Sequence, residues 1–254
     1  MKRTALILPL LFFASGARAW QPLGYPTTNW DEFSTDFNKV QGNMSMGWLQ
    51  QGVDWFKLPG DIVFDTFGGY YWMARSDNQT YFNQNGPYLG AMFSRGAFSL
   101  GAQYYWETFP ALGQYVRDPQ LFGTWYKILD LGLPNALSGK ALGAPFSTWG
   151  RVQYDANAIE GLGTMGWFQQ GIDWFKLPGN VIFDTYGIFR WFERSRNDTY
   201  YNELGPALGV ELSRGPVNLY IEYDWERYPN ISEYVDGPQI YLSVYFGRDL
   251  TKIF

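Results

Sequence analysis

The sequence predicts an all-β protein: a closed, antiparallel, up-and-down transmembrane β-barrel of about twelve strands, built from two tandem six-stranded repeats. Three observations predict this fold. The segments at about 30–131 and about 149–250 are two copies of one sequence, at a constant offset of 119 residues. Within both copies, apolar and polar residues alternate with a period of two, which is the pattern of strands. Tight turns alternate with longer polar loops along each copy, as in membrane barrels.

The duplication is clearest at residues 46–68 and 165–187, where 17 of 23 positions are identical. A period of 119 residues exceeds the roughly 20 to 50 residues of solenoid repeats. We therefore expect each copy to be half of one structure, joined to the other half by a linker at 132–146.

The N-terminus has the order of a secretory signal peptide: a basic start at 1–3, an apolar run at 5–14 and small residues at 17–19. We expect cleavage after residue 19, which leaves a single barrel domain at 20–254. The chain has a net charge of −5, and this charge argues against a nucleic-acid partner. Beyond the signal peptide, no apolar run reaches the about 18 residues of a membrane helix, so a membrane-embedded chain would cross with strands.

The sequence contains neither Cys nor His. The first absence rules out disulfides, and the second removes the commonest general base and metal ligand at neutral pH. We expect no cofactor, no metal site and no catalytic residues.

The strand pattern is strongest at 97–109, where Phe98, Leu100 and Ala102 alternate with Ser99 and Gly101. The corresponding parity elsewhere predicts strands at about 29–40, 44–58, 61–76, 86–95, 97–109 and 119–131, and again 119 residues later. Helix is excluded for 97–107 and its copy.

Turn chemistry gives the topology. The segments 58–60 and 95–96 and their copies are tight Pro- and Gly-containing turns, whereas 76–85, 110–118, 195–204 and 229–237 are longer loops. In an up-and-down meander all tight turns fall at one end of the sheet. Ten strands is the alternative, if the first segment of each copy is not a strand.

Together these features resemble the outer-membrane β-barrel proteins of Gram-negative bacteria as a class, with no narrower family indicated. Phe254 adds to the resemblance, because a terminal Phe is the usual end of such proteins, while Arg248 and Lys252 depart from it by sharing the parity of Phe246. The resemblance implies an outer-membrane location, contact with membrane lipid and insertion by the barrel-insertion machinery.

Aromatic residues indicate which face meets lipid. The apolar face carries six tryptophans that fit two interfacial girdles: Trp55 and Trp174 near the tight turns, and Trp72, Trp106, Trp191 and Trp225 near the longer loops. The alternative is a water-soluble barrel with these rings in its core, and Gln51 and Gln170 on the same face support it.

The opposite face is predicted to form a polar lumen. Its candidate solute path consists of Asp65, Arg75, Tyr105, Glu107, Asp184, Arg194, Tyr220, Glu222 and Glu226. Acidic groups predominate, which favours cations, and tyrosines suit stacking against sugars. The structural interpretation is that these charges pair with one another and fill space. The inward residues Val63, Phe67, Ile182 and Ile188 narrow the bore.

The first functional hypothesis is a narrow channel or translocation pore for small polar solutes or saccharides. In planar bilayers it predicts cation-leaning steps that change when Glu222 or Asp184 is neutralised. The second is an outer-membrane anchor that binds a partner or surface ligand through its outer loops. A carboxylate-dependent enzyme using Asp224 and Glu226 is the least favoured, and the protein is expected not to be an enzyme.

Overall fold

The computed structural model of the chain describes residues 22–38, 40–133, 137 and 139–249. The predicted signal peptide at 1–19, Lys252 and Phe254 lie outside these residues. The described chain forms twelve strands: β1 (Pro26–Asp36), β2 (Asn43–Leu58), β3 (Ile62–Arg75), β4 (Gln84–Arg95), β5 (Phe98–Phe109), β6 (Gln114–Asp130), β7 (Pro145–Asp155), β8 (Leu162–Leu177), β9 (Val181–Arg194), β10 (Glu203–Arg214), β11 (Val217–Tyr228) and β12 (Glu233–Asp249).

Each strand pairs antiparallel with its sequence neighbours, and β1 pairs with β12, so the sheet is a closed up-and-down barrel. The all-β prediction and the count of twelve strands are confirmed, and the ten-strand alternative is wrong. The limits of β7 to β12 lie 119 residues after those of β1 to β6. A bulge between Asp54 and Phe56 in β2 recurs between Asp173 and Phe175 in β8. Within the described residues, no helix is long and apolar enough to cross a bilayer.

Some strand limits differ from the prediction. β1 ends at Asp36, before residue 40, because the Asn38 backbone N–H donates to Asp36 Oδ1 at 2.9 Å and closes a turn. The predicted loop at 110–118 is too long, since β6 already begins at Gln114 and its ladder with β5 continues through Pro119. The predicted loop at 229–237 is too long for the corresponding reason, because β12 begins at Glu233.

The apolar side of the sheet faces outward. Leu100 is 69 % exposed and Leu208 is 61 % exposed, whereas Glu107 on the opposite side of the sheet is fully buried. A water-soluble barrel would have the reverse arrangement. Because a closed sheet also satisfies its own backbone hydrogen bonds, this surface is suited to lipid. The soluble alternative is therefore wrong, and the chain is an outer-membrane β-barrel.

The two glutamines that supported the soluble alternative have their own partners. Gln51 Nε2 donates to the carbonyls of Pro26 at 3.2 Å and Gly52 at 2.8 Å. Gln170 Nε2 makes the corresponding bonds in the second half. A hydrogen-bonded amide is tolerated on an outward face, since its donors are not left unsatisfied in lipid.

All six predicted girdle tryptophans lie on the outward face. Four of their indole N–H groups donate to a hydroxyl on the neighbouring strand: Trp55 to Thr66 (2.7 Å), Trp174 to Thr185 (2.8 Å), Trp72 to Ser45 (3.1 Å) and Trp191 to Thr164 (3.1 Å). These bonds let an indole lie against lipid without an unsatisfied donor.

We expect the Trp55–Thr66 bond to couple the two strands energetically. Trp55→Phe and Thr66→Val each remove the bond. We expect the double variant to lower the free energy of unfolding by less than the sum of the two single losses, with a coupling of about 1 kcal/mol. Unfolding in urea, followed by gel mobility of unboiled samples, measures the cycle. Strictly additive losses would show that the bond contributes nothing to stability.

Candidate functional site

Four tryptophans form a row across the interior. Trp30 and Trp48 are cross-strand partners on β1 and β2, with ring centroids 4.9 Å apart. Trp149 and Trp167 repeat this pair on β7 and β8, at 5.0 Å. Trp48 stacks on Trp149 at 5.8 Å. Because β7 and β8 lie on the opposite wall of the closed sheet from β1 and β2, this tryptophan row bridges the lumen.

The tryptophan row separates two cavities. The first compartment, of about 240 Å³, lies mainly against β2 to β7, and the second, of about 600 Å³, lies mainly against β7 to β12 and β1. All four tryptophans line both. The second compartment reaches the tight-turn end, where Gly215 and Pro216 belong to its wall. The lumen is therefore neither packed solid nor a straight open bore.

The first compartment is lined by amides and aromatic rings. Its polar wall contains Gln50, Gln84, Gln103, Gln120 and Gln153, with Tyr71, Tyr88 and Tyr105. Gln120 Oε1 accepts from Gln103 Nε2 and from Arg151 Nη2, both at 2.6 Å. Glu107 also lines it, fully buried, and neither of its carboxylate oxygens has a hydrogen-bond partner. Such a wall offers donors, acceptors and stacking faces to a polar solute.

The second compartment is acidic. Glu32, Asp173, Asp184 and Glu211 line it, and Arg190 is the one basic residue among its lining residues. The positive charge of Arg190 is compensated by other carboxylates, which do not line the compartment.

Arg190 is bound by carboxylates of β11. Its Nη1 and Nη2 donate to the two oxygens of Glu222 at 2.5 and 2.8 Å, and Nη1 lies 3.3 Å from Asp224 Oδ1. The Tyr241 hydroxyl accepts from Nη2 at 2.8 Å. Two parallel bonds to one carboxylate give the geometry of a strong, oriented ion pair. Glu222 thus anchors Arg190 and does not face the second compartment.

We expect Arg190→Gln to destabilise the barrel by about 3 to 5 kcal/mol, because Glu222 and Asp224 would remain buried without their partner. Arg190→Lys should cost less, since it keeps the charge and loses the paired geometry. Urea unfolding measures both, with Arg227→Gln, an exposed outward arginine, as the control. Equal stability of the Arg190→Gln and control variants would contradict this assignment.

At the long-loop end, two connections fold inward and meet across the lumen. Phe82, from the segment 76–83, and Tyr201, from 195–202, are only 2 % and 4 % exposed, with ring centroids 5.8 Å apart. They pack with Met44, Met46 and Met73 in one buried cluster. We call these five residues the outer plug. Burial raises the pKa of the Tyr201 phenol, which is uncharged at neutral pH even at its usual value.

Arg75 holds the second-half segment in place. Its Nη1 donates to the Tyr200 carbonyl and its Nη2 to Glu203 Oε2, both at 3.4 Å. The guanidinium also lies 3.2 Å from the centre of the Phe82 ring. The arginine of the first half thus contacts both inward segments.

Arg194 makes the matching contacts from the second half. It donates to the Tyr81 carbonyl at 3.4 Å and to Gln84 Oε1 at 3.1 Å, and it lies 3.3 Å from the centre of the Tyr201 ring. Glu160 is its ion-pair partner at 3.7 Å. Each half therefore secures the connection of the other, which ties the plug to the wall.

The residues predicted for the solute path all face inward, but the structure does not gather them into one path. Tyr105 and Glu107 line the first compartment, and Asp184 and Tyr220 line the second. The others lie apart: Arg75 and Arg194 against the outer plug, Glu222 on Arg190, Glu226 with Gln41 and Tyr228, and Asp65 in neither compartment.

The two carboxylates of the enzyme hypothesis have separate partners. Asp224 faces Arg190, whereas Glu226 accepts from Gln41 Nε2 at 3.0 Å and from the Tyr228 hydroxyl at 2.9 Å. Neither lines a compartment. Among the described residues, no cluster of three acidic side chains could hold a metal ion. This arrangement gives no support to carboxylate catalysis.

The sequence interpretation missed the tryptophan row and the outer plug. A signal for the row was present, since Trp30 shares the parity of Glu32 and Asp36, and Trp48 shares that of Met46 and Gln50. The sequence contained no signal for the outer plug, because strand parity does not apply to a connection that folds back into the lumen.

Comparison with known proteins gives likeness in structure alone. No protein-family model matches the chain. No curated protein matches it either. Solved structures similar to it include the β domain of the Bordetella autotransporter BrkA, with 14 % identity over 88 % of this chain and 98 % of that one and a TM-score of 0.37. LpxR from Salmonella typhimurium gives 11 % identity over 86 % and 99 %, with a TM-score of 0.43. CdiB from Acinetobacter baumannii gives 14 % identity over 87 % of this chain and 48 % of that one, with a TM-score of 0.42. These structural neighbours are Gram-negative outer-membrane β-barrels, the class that the sequence resembles.

Proposed function

We propose that this outer-membrane β-barrel is a narrow, gated channel for small polar solutes, with a preference for cations, and that the structure is its closed state. The observation that carries the proposal is the pair of cavities on either side of the tryptophan row, about 240 and 600 Å³ in volume. A barrel that served only as an anchor has no need of a hollow, polar interior.

The proposed route enters from the tight-turn end. A solute would pass from the second compartment past the tryptophan row into the first compartment. Gln84 and Glu160 line the first compartment and contact Arg194, so this compartment extends to the contacts of the outer plug. Release to the exterior then requires the segments 76–83 and 195–202 to move away from the mouth. Both barriers consist of side chains and connections, so opening leaves the barrel wall intact.

The anchor hypothesis has less support from the geometry. At the long-loop end, the connections 37–42, 110–113, 156–161 and 229–232 are short, and the segments 76–83 and 195–202 direct Phe82 and Tyr201 into the lumen. Little of these connections is left to bind a partner.

The proposal includes the route of the protein to the membrane. The leader at 1–19 is removed, and the barrel-insertion machinery places the remaining chain in the outer membrane.

Charge selectivity tests the proposal. With the plug removed by Phe82→Gly and Tyr201→Gly, a salt gradient across a planar bilayer should give a cation-selective reversal potential. Asp184→Asn in that background should lower the cation preference, because it removes one of the carboxylates that line the route.

The matched control is Asp65→Asn, which changes the corresponding aspartate of the first half. Asp65 lines neither compartment, so the reversal potential should stay unchanged. The channel proposal is contradicted if the plug-free barrel never conducts, or if its reversal potential is the same with and without Asp184→Asn.

A further inference from the structure

The two halves differ where they face the compartments. Glu32 lines the second compartment, and the corresponding residue 119 positions later, Arg151, lines the first. Glu211 lines the second compartment, and its counterpart Met92 lines the first. At both positions the second compartment has a carboxylate, whereas the first compartment has an arginine or a methionine. The larger cavity is therefore acidic through its own side chains and not as a general property of the barrel.

The carboxylates of the second compartment have no ion-pair partner among the described residues: no lysine or arginine lies within ion-pair distance of Glu32, Asp173, Asp184 or Glu211. Arg190 is already bound by Glu222 and Asp224. Uncompensated carboxylates around a cavity attract a cation, because the low-dielectric wall strengthens the interaction.

Asp184 and its first-half counterpart Asp65 each carry a buried carboxylate oxygen without a hydrogen-bond partner, and of the two only Asp184 lines a compartment. In Asp184 this oxygen is Oδ1, and the residue is only 4 % exposed. A buried carboxylate oxygen without a donor is unfavourable, so a ligand that supplies an N–H group would relieve this cost.

The spacing of the carboxylates narrows the class of cation. Asp184 is the cross-strand neighbour of Asp173 on one side and of Glu211 on the other, so three acidic positions form a row across β8, β9 and β10. Among the described residues, they do not form a cluster that could hold a metal ion. A row of this kind matches an extended ligand that carries more than one ammonium group. Trp167 and Tyr220 line the same cavity and offer aromatic faces to such a cation.

We propose that the second compartment binds small organic diamines through Asp173, Asp184 and Glu211. The proposal rests on the channel function for its physiological role, since it names the class of solute carried. Binding itself is an equilibrium property of the closed barrel, so it is measured without any conduction.

Isothermal titration calorimetry of the full barrel in detergent tests the site, with butane-1,4-diamine as the probe and butane-1,4-diol as its uncharged counterpart. We expect saturable binding of the diamine and none of the diol. Asp184→Asn and Glu211→Met should each weaken diamine binding about tenfold, the loss expected for one charged hydrogen bond. Glu211→Met introduces the residue of the first half, so the barrel is expected to accept it.

Asp65→Asn is the control and should leave the affinity unchanged. Gel mobility of unboiled samples confirms that each variant is folded. The site is refuted if the diamine shows no saturable binding, if the diol binds as tightly, or if the Asp65 variant loses as much affinity as the Asp184 variant. A barrel that binds the diamine but never conducts refutes the channel and leaves the site standing.

Discussion

Replacing Phe82 and Tyr201 together with glycine should turn a closed barrel into a conducting one. The two rings are the centre of the outer plug, and removing a buried aromatic side chain costs about 3 kcal/mol or more. If this loss falls on the closed state alone, the ratio of open to closed barrels rises about a hundredfold or more for each ring removed. Planar-bilayer recordings should show discrete steps for the double variant and few for the unaltered protein.

Tyr115→Gly with Tyr234→Gly is the matched control. These two tyrosines are also equivalent positions of the halves, but they lie exposed on the outward side, at 52 % and 75 %. Their removal should leave the barrel closed. Frequent conduction by the unaltered protein, or equal conduction by the control, would mean that the inward segments do not close the mouth.

Trp48→Ala with Trp149→Ala should widen the path once the plug is gone. These two indoles make the stack that crosses the lumen, so their removal joins the two compartments into one bore. In the plug-free background we expect a unitary conductance higher by a factor on the order of three, since conductance rises with the free cross-section of a pore. The measurement is single-channel current at fixed voltage.

Trp72→Ala with Trp191→Ala controls for the loss of two tryptophans. These are the equivalent outward residues, hydrogen-bonded to Ser45 and Thr164, and they should affect stability but not conductance. An unchanged current after loss of Trp48 and Trp149 would place the main constriction elsewhere in the barrel.

The fold was predictable because strand parity and turn chemistry are local properties. Alternation along 97–109 gave the two faces of β5, and the tight turns gave the topology. The error at 110–118 came from treating Pro119 as a strand start, although its ladder with Tyr104 continues in the structure. The limit at Asp36 depended on a side-chain hydrogen bond to Asn38 that periodicity does not reveal.

The lumen was predictable only in its composition. Parity identified which side chains face inward, including Asp65 and Asp184, but it does not say which of them meet across the barrel. Trp48 and Trp149 stack because their strands lie on opposite walls, which depends on barrel size and register. The same limit applies to Arg75 and Arg194, each of which donates hydrogen bonds to groups of the other half of the chain.

Thiol labelling at the second compartment tests the closed, gated lumen most directly, because the chain has no cysteine of its own. Ser213→Cys places one thiol in that compartment. In intact cells that lack general porins, a small hydrophilic thiol reagent should leave this cysteine unlabelled while the plug is present. It should label the cysteine once both barriers are removed by Phe82→Gly and Tyr201→Gly together with Trp48→Ala and Trp149→Ala, or in broken membranes, where the tight-turn end is accessible. Labelling in intact cells with both rings in place would contradict the account.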